Sequence, residues 1–462
     1  MLTTAISAAE LGTWLGLWTT GDHTLVEDLS SALMQLIDDG VLAAGATLPP
    51  QRLFAPAIGV SRGSVAAAYA MLEGTGHIMS QQGSGSRVRS GPRQLRTHSE
   101  GRLFSFTADS SVVDLSTAAL QASQVAREVI ARAKRPSSDY LDTDGYFPAG
   151  LPALRQAVAQ QLTADGVPTV PSKVLITAGA QEATWLVARA FVGSGDVVLL
   201  EEPTYRGAIE AIREQGTRLR GIPVSDHGIL VAQAKAAMRE SPSMLYVQTG
   251  VHNPTGRSMT AASRRQLAES INHHGVVTVD DRCWADLALE GPEVAGGLNS
   301  HVDPDLLITI GTASKLFWGG IRIGWIRASE SRIKALQELI KTVHLGCSIS
   351  DQLIAVELLP LTSVARAERR LFLRERLAVT EAELHRAFPH WTWGDIEGGS
   401  ALWVDTKSDA TAMVSHGKRV GVKLVGGPSF SAHDGQQTML RMPLWHDART
   451  LRFGLDLLAG AE

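Results

Sequence analysis

From Lys173 onwards, short apolar runs alternate with stretches of helical periodicity, and this alternation constrains the fold more than any other feature. The runs are rich in β-branched residues and cover residues 174–177, 196–200, 245–248, 276–279 and 306–310. Strands that alternate with helices predict an α/β domain built around one sheet. In such a sheet the ligand lies beyond the carboxyl ends of the strands, so the polar residues that follow the runs are candidates for one site.

The last of these runs leads to a lysine. The run from Leu306 to Ile310 delivers Lys315 to a loop with two glycines, and Arg322 and a second short strand, predicted at 321–326, follow. A lysine at the edge of a core is easily desolvated, so its amine can be neutral and nucleophilic near pH 7. Arg322 could hold an anionic group of whatever this lysine binds. A lone lysine after a strand is usually solvated, so the interpretation depends on partners elsewhere.

The composition is that of an ordinary globular protein, with 44% hydrophobic and 19% charged residues among 462. A net charge of −4 excludes a bulk attraction for nucleic acid, so any such contact must be local. Cys283 and Cys347 provide no disulfide framework and fit a reducing compartment. The N-terminus lacks the basic segment of a signal peptide, and Gly12 and Gly16 interrupt its apolar residues. We therefore expect a cytoplasmic protein without a membrane anchor.

The first ninety residues carry the pattern of a helix-turn-helix. Leu29 and Leu33 line one face of a first helix, and a short helix is predicted from about Gln51 to Ala57. Ser61 is a good N-cap for a third helix, whose first turn presents Arg62 and small polar residues. This geometry suits the major groove of DNA.

A predicted hairpin from His77 to Val88 completes a resemblance of about Leu25 to Arg89 to the winged helix-turn-helix domain of GntR-type bacterial regulators. The resemblance rests on Leu48-Pro-Pro-Gln-Arg52, Gly59-Val-Ser-Arg62, Ala68-Tyr69 and a Gly-Ser-Gly hairpin tip. It implies double-stranded DNA as a partner. The implied contact residues are Arg52, Ser61, Arg62, Ser64, Gly83, Ser84, Gly85 and Arg87. Residues 1–96 carry six arginines, no lysine and seven acids, but every arginine lies at or beyond position 52. The alternative is a helical core used only for packing or dimerisation.

Short motifs follow the apolar runs of the large region. They are Gly179-Ala-Gln181, Glu202-Pro-Thr-Tyr205, Asn253-Pro-Thr-Gly256, Asp280-Asp281 and, near the C-terminus, Leu440-Arg-Met-Pro443. With Lys315, they resemble the fold-type I, class I/II aminotransferases from about Val113 to Ala461, and with the winged helix the chain resembles the MocR-type subfamily of GntR regulators. This implies a large α/β domain like that of transferases dependent on pyridoxal 5′-phosphate (PLP), with a small C-terminal α+β domain. The predicted domains are residues 1–90, a linker at 91–112, and residues 113–462.

The resemblance assigns the reactive part of a PLP site. Lys315 would carry the cofactor as a Schiff base, and Asp281 would pair with the pyridine nitrogen and keep it protonated. Asp280 remains open as the alternative to Asp281. Asn253 would donate to the ring hydroxyl oxygen, in an Asn-Pro bond that is expected to be cis. Tyr205 would lie against the ring face.

The resemblance also assigns the anionic contacts. The phosphate is expected at the start of a helix, whose free N–H groups suit an anion. The implied phosphate residues are Gly179, Ala180, Gln181, Thr312, Ser314 and Arg322. Tyr140 matches a tyrosine that in relatives reaches the phosphate of the neighbouring subunit, so a homodimer is expected. Arg441 would bind the carboxylate of the substrate, and no metal is expected.

One position departs from the family pattern. Relatives usually carry a tyrosine two residues after the ring aspartate, where it holds the ring oxygen, and here that position is Cys283. Cofactor binding should survive this change, but efficient transamination is not expected. The leading hypothesis is a PLP-binding transcription regulator that senses an amino compound, and the alternative is an aminotransferase with an auxiliary winged helix. A regulator that has lost the cofactor conflicts with the complete set of lysine, aspartate, asparagine and arginine.

Overall fold

The computed structural model describes residues 6–16, 18–19, 24–38, 41–42, 45–74, 77–81, 85–88, 112–133, 138–290 and 297–460. The chain divides into two compact units, Met1–Glu100 and Gly101–Glu462. The linker predicted at 91–112 lies outside the described residues except for Val112. Among the described helices, none combines the length and the apolar character that crossing a bilayer requires.

The first unit packs short helices against a hairpin. Its elements are α1 (Ala8–Leu15), α2 (Leu25–Asp38), α3 (Gln51–Ala57), α4 (Arg62–Gly74), β1 (Ile78–Gln81) and β2 (Gly85–Val88). Ser61 caps α4 as predicted, because its Oγ accepts a hydrogen bond from the Ser64 N–H at 3.0 Å. The apolar face of α4 is buried, with Val65 and Leu72 in one core with Leu33 of α2. The helix-turn-helix and its hairpin are therefore confirmed.

A third extended segment runs along the hairpin. Strands β1 and β2 pair antiparallel. The Leu48 N–H donates to the carbonyl of Ser86 at 2.8 Å, and the Val88 N–H donates to the carbonyl of Ala46 at 2.9 Å. The backbone before α3 is thereby fixed to β2, so the wing and the helix-turn-helix form one body.

The second unit contains thirteen strands among its described residues. They are β3 (Val113–Asp114), β4 (Val174–Thr177), β5 (Val197–Glu202), β6 (Arg218–Ser225), β7 (Gly228–Ile229), β8 (Met244–Val247), β9 (Thr278–Asp281), β10 (Leu307–Thr312), β11 (Gly324–Arg327), β12 (Thr392–Trp393), β13 (Ala401–Asp405), β14 (Val422–Lys423) and β15 (Met439–Pro443). Eight of them form one sheet in the order β4-β11-β10-β9-β8-β5-β6-β7. The five strands from β10 to β6 are parallel, whereas β11 and β7 run antiparallel to their neighbours. The predicted α/β architecture is confirmed.

Helices cover both faces of this sheet. The helices of the second unit are α5 (Gln124–Arg132), α6 (Ser138–Leu141), α7 (Pro152–Ala164), α8 (Ala180–Phe191), α9 (Arg206–Arg213), α10 (Val231–Met238), α11 (Ala261–His274), α12 (Glu330–Ile340), α13 (Ile349–Leu358), α14 (Thr362–Ala387), α15 (Ala410–Arg419) and α16 (Ala448–Ala459). Helices α8, α9 and α12 share a core with one face of the sheet, and α10 and α11 share a core with the other. A smaller antiparallel sheet, β12-β13-β15, packs with α14 and α16 in a further core, which matches the predicted C-terminal α+β layer.

The strand after Lys315 begins later than predicted. Gly319–Ile321 forms a 3₁₀ turn, and Arg322 has a left-handed backbone with φ of 53°, so β11 begins at Gly324 rather than at residue 321. A Cβ at Gly324 would lie 2.6 Å from the carbonyl carbon of Gly179. The missing side chain lets β11 lie directly against the start of α8.

Candidate functional site

Lys315 lies in the loop after β10, at the carboxyl end of the parallel strands, and is half-buried. Burial lowers the pKa of Lys315 to about 8, helped by the positive charges of Arg441 and Arg206 and opposed by Cys283 and Asp281. The structure therefore brings the lysine, the aspartate and the C-terminal arginine into one site. An amine with this pKa is neutral far more often at pH 7 than an ordinary lysine, as nucleophilic chemistry requires.

Asp281 and Asp280 are consecutive in β9 and point to opposite faces of the sheet. Asp281 Oδ1 accepts from the Cys283 N–H at 2.9 Å, and its Oδ2 accepts from the hydroxyl of Tyr246. Burial raises the pKa of Asp281, and these two neighbours limit the rise by donating hydrogen bonds. Asp280 instead accepts from Thr249 Oγ1 at 2.8 Å. Of the two carboxylates, the one near the lysine is Asp281.

Asn253 and Arg441 are buried together beside the lysine, with 7% and 2% of their surfaces exposed. Arg441 Nη1 donates to Asn253 Oδ1 at 3.4 Å, and Nη2 donates to the carbonyl of Ser116 at 2.7 Å. The guanidinium lies over the ring of Phe430 at 4.9 Å. Burial and the charge of Arg206 lower the pKa of Arg441 to about 9. Within the described part of the chain, Arg441 forms no salt bridge, and its buried Nε makes no hydrogen bond; the charge of Asp114 only partly offsets the lowering of its pKa.

The start of α8 forms a cradle with the segment after Lys315. Gly179 caps α8 with φ of 92°, and the first N–H groups of a helix have no partner inside it. Arg322 Nη2 donates to the carbonyl of Ala178 at 2.6 Å, which holds the guanidinium beside Gly179. The Oγ of Ser314 is buried and makes no hydrogen bond to the described residues. The cradle thus combines backbone donors with a positive charge, and the residue before Lys315 supplies a hydroxyl without a partner among the described residues.

The remaining predicted residues lie around this cradle. The hydroxyl of Tyr205 donates to Gln181 Oε1 at 2.9 Å, which links the end of β5 to the first turn of α8. Thr312 Oγ1 donates to a neighbouring backbone carbonyl at 3.0 Å. Tyr140 lies on α6 and packs edge-on against Phe147 with ring centroids 6.2 Å apart. The Asn-Pro bond at 253–254 is cis, as expected.

Two residues of the site were not predicted from the sequence. Arg206 begins α9, has 2% of its surface exposed, and its guanidinium lies 5.8 Å from the Phe430 ring. The sequence could have indicated Arg206 as a site residue, because it follows Tyr205 directly, beyond the end of a strand. Tyr246 is fully buried inside β8 and bonds to Asp281. A tyrosine inside an apolar strand looks like core, so no sequence signal marked it.

The predicted DNA contacts of the helices lie on the surface of the first unit. Arg52 and Arg62 are exposed at the first turns of α3 and α4. The hydroxyls of Ser61 and Ser64 lie 2.9 Å apart beside Arg62, and Ser61 is exposed. The first turn of α4 therefore presents one arginine and two hydroxyls, a composition that suits a groove of DNA.

The predicted wing contacts are described only in part. Gly85 begins β2 with φ of 81°, a left-handed conformation that favours glycine. Arg87 is half-buried in β2. Gly83 and Ser84 lie outside the described residues, so their assignment stays a prediction.

Comparison with known protein families shows to which family the chain belongs. Residues 110–449, well over half of the chain, match the family of class I and II aminotransferases. The chain belongs to this family. Residues 25–88 match the gntR family of bacterial regulatory proteins. An aminotransferase-family domain thus follows a GntR-type helix-turn-helix in one chain, which is the MocR-type arrangement.

Individual family members resemble the chain over most of its length. The 2-aminoadipate transaminase of Thermus thermophilus is 29% identical over 70% of this chain and 80% of its own. The HTH-type transcriptional regulator YisV of Bacillus subtilis is 25% identical over 83% of this chain and 84% of its own. The crystal structure of LysN, the α-aminoadipate aminotransferase of Thermus thermophilus complexed with N-(5′-phosphopyridoxyl)-L-leucine, matches with a TM-score of 0.68 and 25% identity. That match covers 76% of this chain and 92% of LysN.

The Gly179→Ala variant tests the cradle by its effect on stability. At φ of 92°, an alanine is strained, and its Cβ would lie 2.9 Å from Arg322 Nη2. We expect the free energy of unfolding in urea to fall by about 1–2 kcal/mol. Gly319→Ala is the matched control, because its Cβ would meet nothing within 4 Å, and the change should stay within ~0.5 kcal/mol. Equal stabilities of the two variants would contradict the constraint at Gly179.

Proposed function

We propose that this protein is a DNA-binding transcription regulator whose aminotransferase-family domain holds PLP and senses an amino compound. The observation that carries the proposal is Arg441, a buried guanidinium that forms no salt bridge with the described residues, beside the amine of Lys315. A receptor for a carboxylate next to a reactive amine fits an amino acid or a similar zwitterion. Because the same chain carries a GntR-type domain, we propose that ligand binding at this site regulates DNA binding. The regulator YisV, which shares both parts over 84% of its length, supports this assignment.

The residues of the site fit PLP part by part. Gly179, Ser314 and Arg322 suit a phosphate, because the Ser314 hydroxyl makes no hydrogen bond to the described residues and a Cβ at residue 179 would press on the Arg322 guanidinium. Asp281 suits a protonated ring nitrogen, because it is a buried carboxylate that already has hydrogen-bond donors to hold its orientation. The phosphopyridoxyl compound in LysN supports the same cofactor here.

Each residue has a distinct task in the proposed sensor. PLP supplies, when bound, an aldehyde and an electron-withdrawing ring. Lys315 offers a neutral amine near pH 8 and gives up its place to an incoming amine. Asp281 holds a proton at the ring nitrogen. Arg441 binds the carboxylate of the incoming compound, and its bond to Asn253 fixes the guanidinium in one orientation.

The second candidate function is catalysis by transamination, which the 2-aminoadipate transaminase relative favours. Cys283 argues against efficient turnover, because a thiol takes the place of the phenol that holds the ring oxygen in relatives. Burial raises the pKa of the Cys283 thiol well above its usual value, and the charge of Asp281 adds to the rise. A thiol that stays protonated is a weak hydrogen-bond donor and gives little control over proton transfer at the ring. We therefore propose binding with slow or absent turnover.

The DNA-binding surface is proposed to place α4 in the major groove. Arg62 then faces a base edge, while Arg52 and the wing residues Gly85 and Arg87 face the backbone. We also propose a homodimer, in which Tyr140 completes the phosphate site of the other subunit. A two-fold dimer matches an operator with repeated half-sites. We also propose that the protein works in the cytoplasm, because that is where a bacterial regulator meets its DNA.

The experiment that tests the proposal follows two signals in one titration. Candidate amino acids are added to the purified PLP-loaded protein while its visible spectrum and its affinity for its own upstream DNA are measured. An effector should change both over the same concentration range, with a coupling of ~1–3 kcal/mol, because a ligand shifts an equilibrium only by its differential affinity. Arg441→Gln should abolish the response, whereas Arg419→Gln, at an exposed arginine, should preserve it. Rapid multiple turnover at unchanged DNA affinity would establish the enzyme instead.

A further inference from the structure

Asp281 is held by donors from two different parts of the fold. The Cys283 N–H, which follows in the same segment, donates to Oδ1 at 2.9 Å. The hydroxyl of Tyr246, from the neighbouring strand β8, donates to Oδ2. Residue 281 is opposite Ile310 in β10, which places it on the sheet face that packs against α8 and α9. Each carboxylate oxygen therefore has at least one donor from the protein before any cofactor is considered.

The phenol of Tyr246 has no other hydrogen-bond partner among the described residues. Its ring is fully buried in the core shared by β8, α8 and α9, and the hydroxyl reaches Asp281 from beneath the site. A buried hydroxyl costs free energy unless it is bonded, and a hydrogen bond to an ion is stronger than one to a neutral group. Apolar packing at this position could be supplied by phenylalanine, so the oxygen serves Asp281.

We propose that Tyr246 is a positioning residue that keeps the carboxylate of Asp281 ionised and aimed at the ring nitrogen of the bound cofactor. This inference rests on the proposed PLP site. The phenol missing at position 283 would have held the ring oxygen, whereas Tyr246 acts on the ring nitrogen through the aspartate.

The charged and titratable groups around Asp281 determine how the effect of losing the Tyr246 hydroxyl depends on pH. Tyr246 faces Asp281 from β8, Cys283 from the loop after β9, and Lys315 from the loop after β10, while the charge of Asp280 acts from the other face of β9. Without the Tyr246 hydroxyl, the carboxyl group keeps its burial and loses a donor, so its pKa rises further. The variant is then protonated in a pH range where the wild type is ionised. The loss of cofactor binding in the variant must therefore be largest at low pH, and it must fade as the pH rises through the raised pKa of Asp281.

The test uses Tyr246→Phe and a ligand that cannot react with Lys315. The probe is 4′-deoxypyridoxine 5′-phosphate, which has the ring nitrogen and phosphate of PLP but no aldehyde. Its binding to the full-length cofactor-free protein is measured by calorimetry from pH 6 to pH 9. We expect about tenfold weaker binding by the variant at pH 6, and a ratio that approaches one at pH 9. The ultraviolet spectrum of the bound probe should show a protonated ring in the wild type and a neutral ring in the variant at pH 6.

Tyr69→Phe is the matched control. It also removes a buried hydroxyl, which donates to the carbonyl of Pro49 at 3.1 Å, but it lies in the first unit. Its probe binding should equal that of the wild type at every pH. A Tyr246→Phe ratio that is flat with pH would overturn the positioning role and leave the PLP site intact. Failure of the wild type to bind the probe would overturn the PLP site itself.

Discussion

The Lys315→Ala variant is expected to lose the covalent attachment of PLP and the visible absorption that accompanies it. Removal of the amine would leave the proposed phosphate cradle and Asp281 to hold the cofactor. We therefore expect binding at least about a hundredfold weaker, a loss of ~2.7 kcal/mol. Borohydride treatment of the wild type should fix the cofactor to Lys315, as peptide mass spectrometry would show.

Lys334→Ala provides the control for this experiment. Lys334 is exposed on α12, so its removal should change neither the spectrum nor the site of labelling. Cofactor fixed to a lysine other than Lys315 would refute the assignment. A colourless wild-type protein after reconstitution would refute the PLP site as a whole.

The Arg62→Ala variant is expected to lose discrimination between operator and unrelated DNA. An arginine that bonds to both acceptors of a guanine contributes ~1–3 kcal/mol of discrimination, which is about a 5- to 150-fold change in the affinity ratio. Arg87→Ala is the informative comparison, because a contact to phosphate carries no sequence information. It should weaken binding to both DNAs alike and reduce the salt slope by about one unit. An Arg62→Ala protein that binds the operator as tightly as the wild type would place α4 outside the groove.

The alternation of strands and helices was sufficient to predict the large domain, because a parallel sheet brings distant strand ends to one edge. Lys315, Asp281 and Arg441 come from three separate segments and share one environment in the structure. The sequence left open whether Asp280 or Asp281 faces the lysine, and the three-dimensional structure decides between them. Side chains alternate along a strand, and only the pairing of β9 with β10 fixes which carboxylate faces the lysine.

Three features of the structure were not predicted, because the local sequence either carried conflicting signals or carried none. Helix α1 was not predicted, because Gly12 interrupts it, although Ser7 and Glu10 form a capping box that marks its start. The late start of β11 follows from the left-handed backbone at Arg322, a conformation that no sequence pattern specified. Tyr246 was missed because apolar strands bury aromatic residues for packing alone. Only its hydroxyl, which reaches a carboxylate, distinguishes it.

The thiol beside Lys315 raises a question of chemoselectivity, since an amine and a thiol can both attack the aldehyde of PLP. Burial lowers the pKa of the amine and raises the pKa of the thiol, so it makes the amine more nucleophilic and the thiol less so. The pKa of Lys315 falls to about 8, so about one amine in ten is neutral at pH 7, compared with fewer than about one in a thousand for an ordinary lysine. The pKa of Cys283 rises well above its usual value, so its sulfur keeps the proton and loses nucleophilicity. The same dry, charged environment therefore directs the aldehyde to nitrogen, and a cysteine can stand next to the reactive lysine without competing for the cofactor.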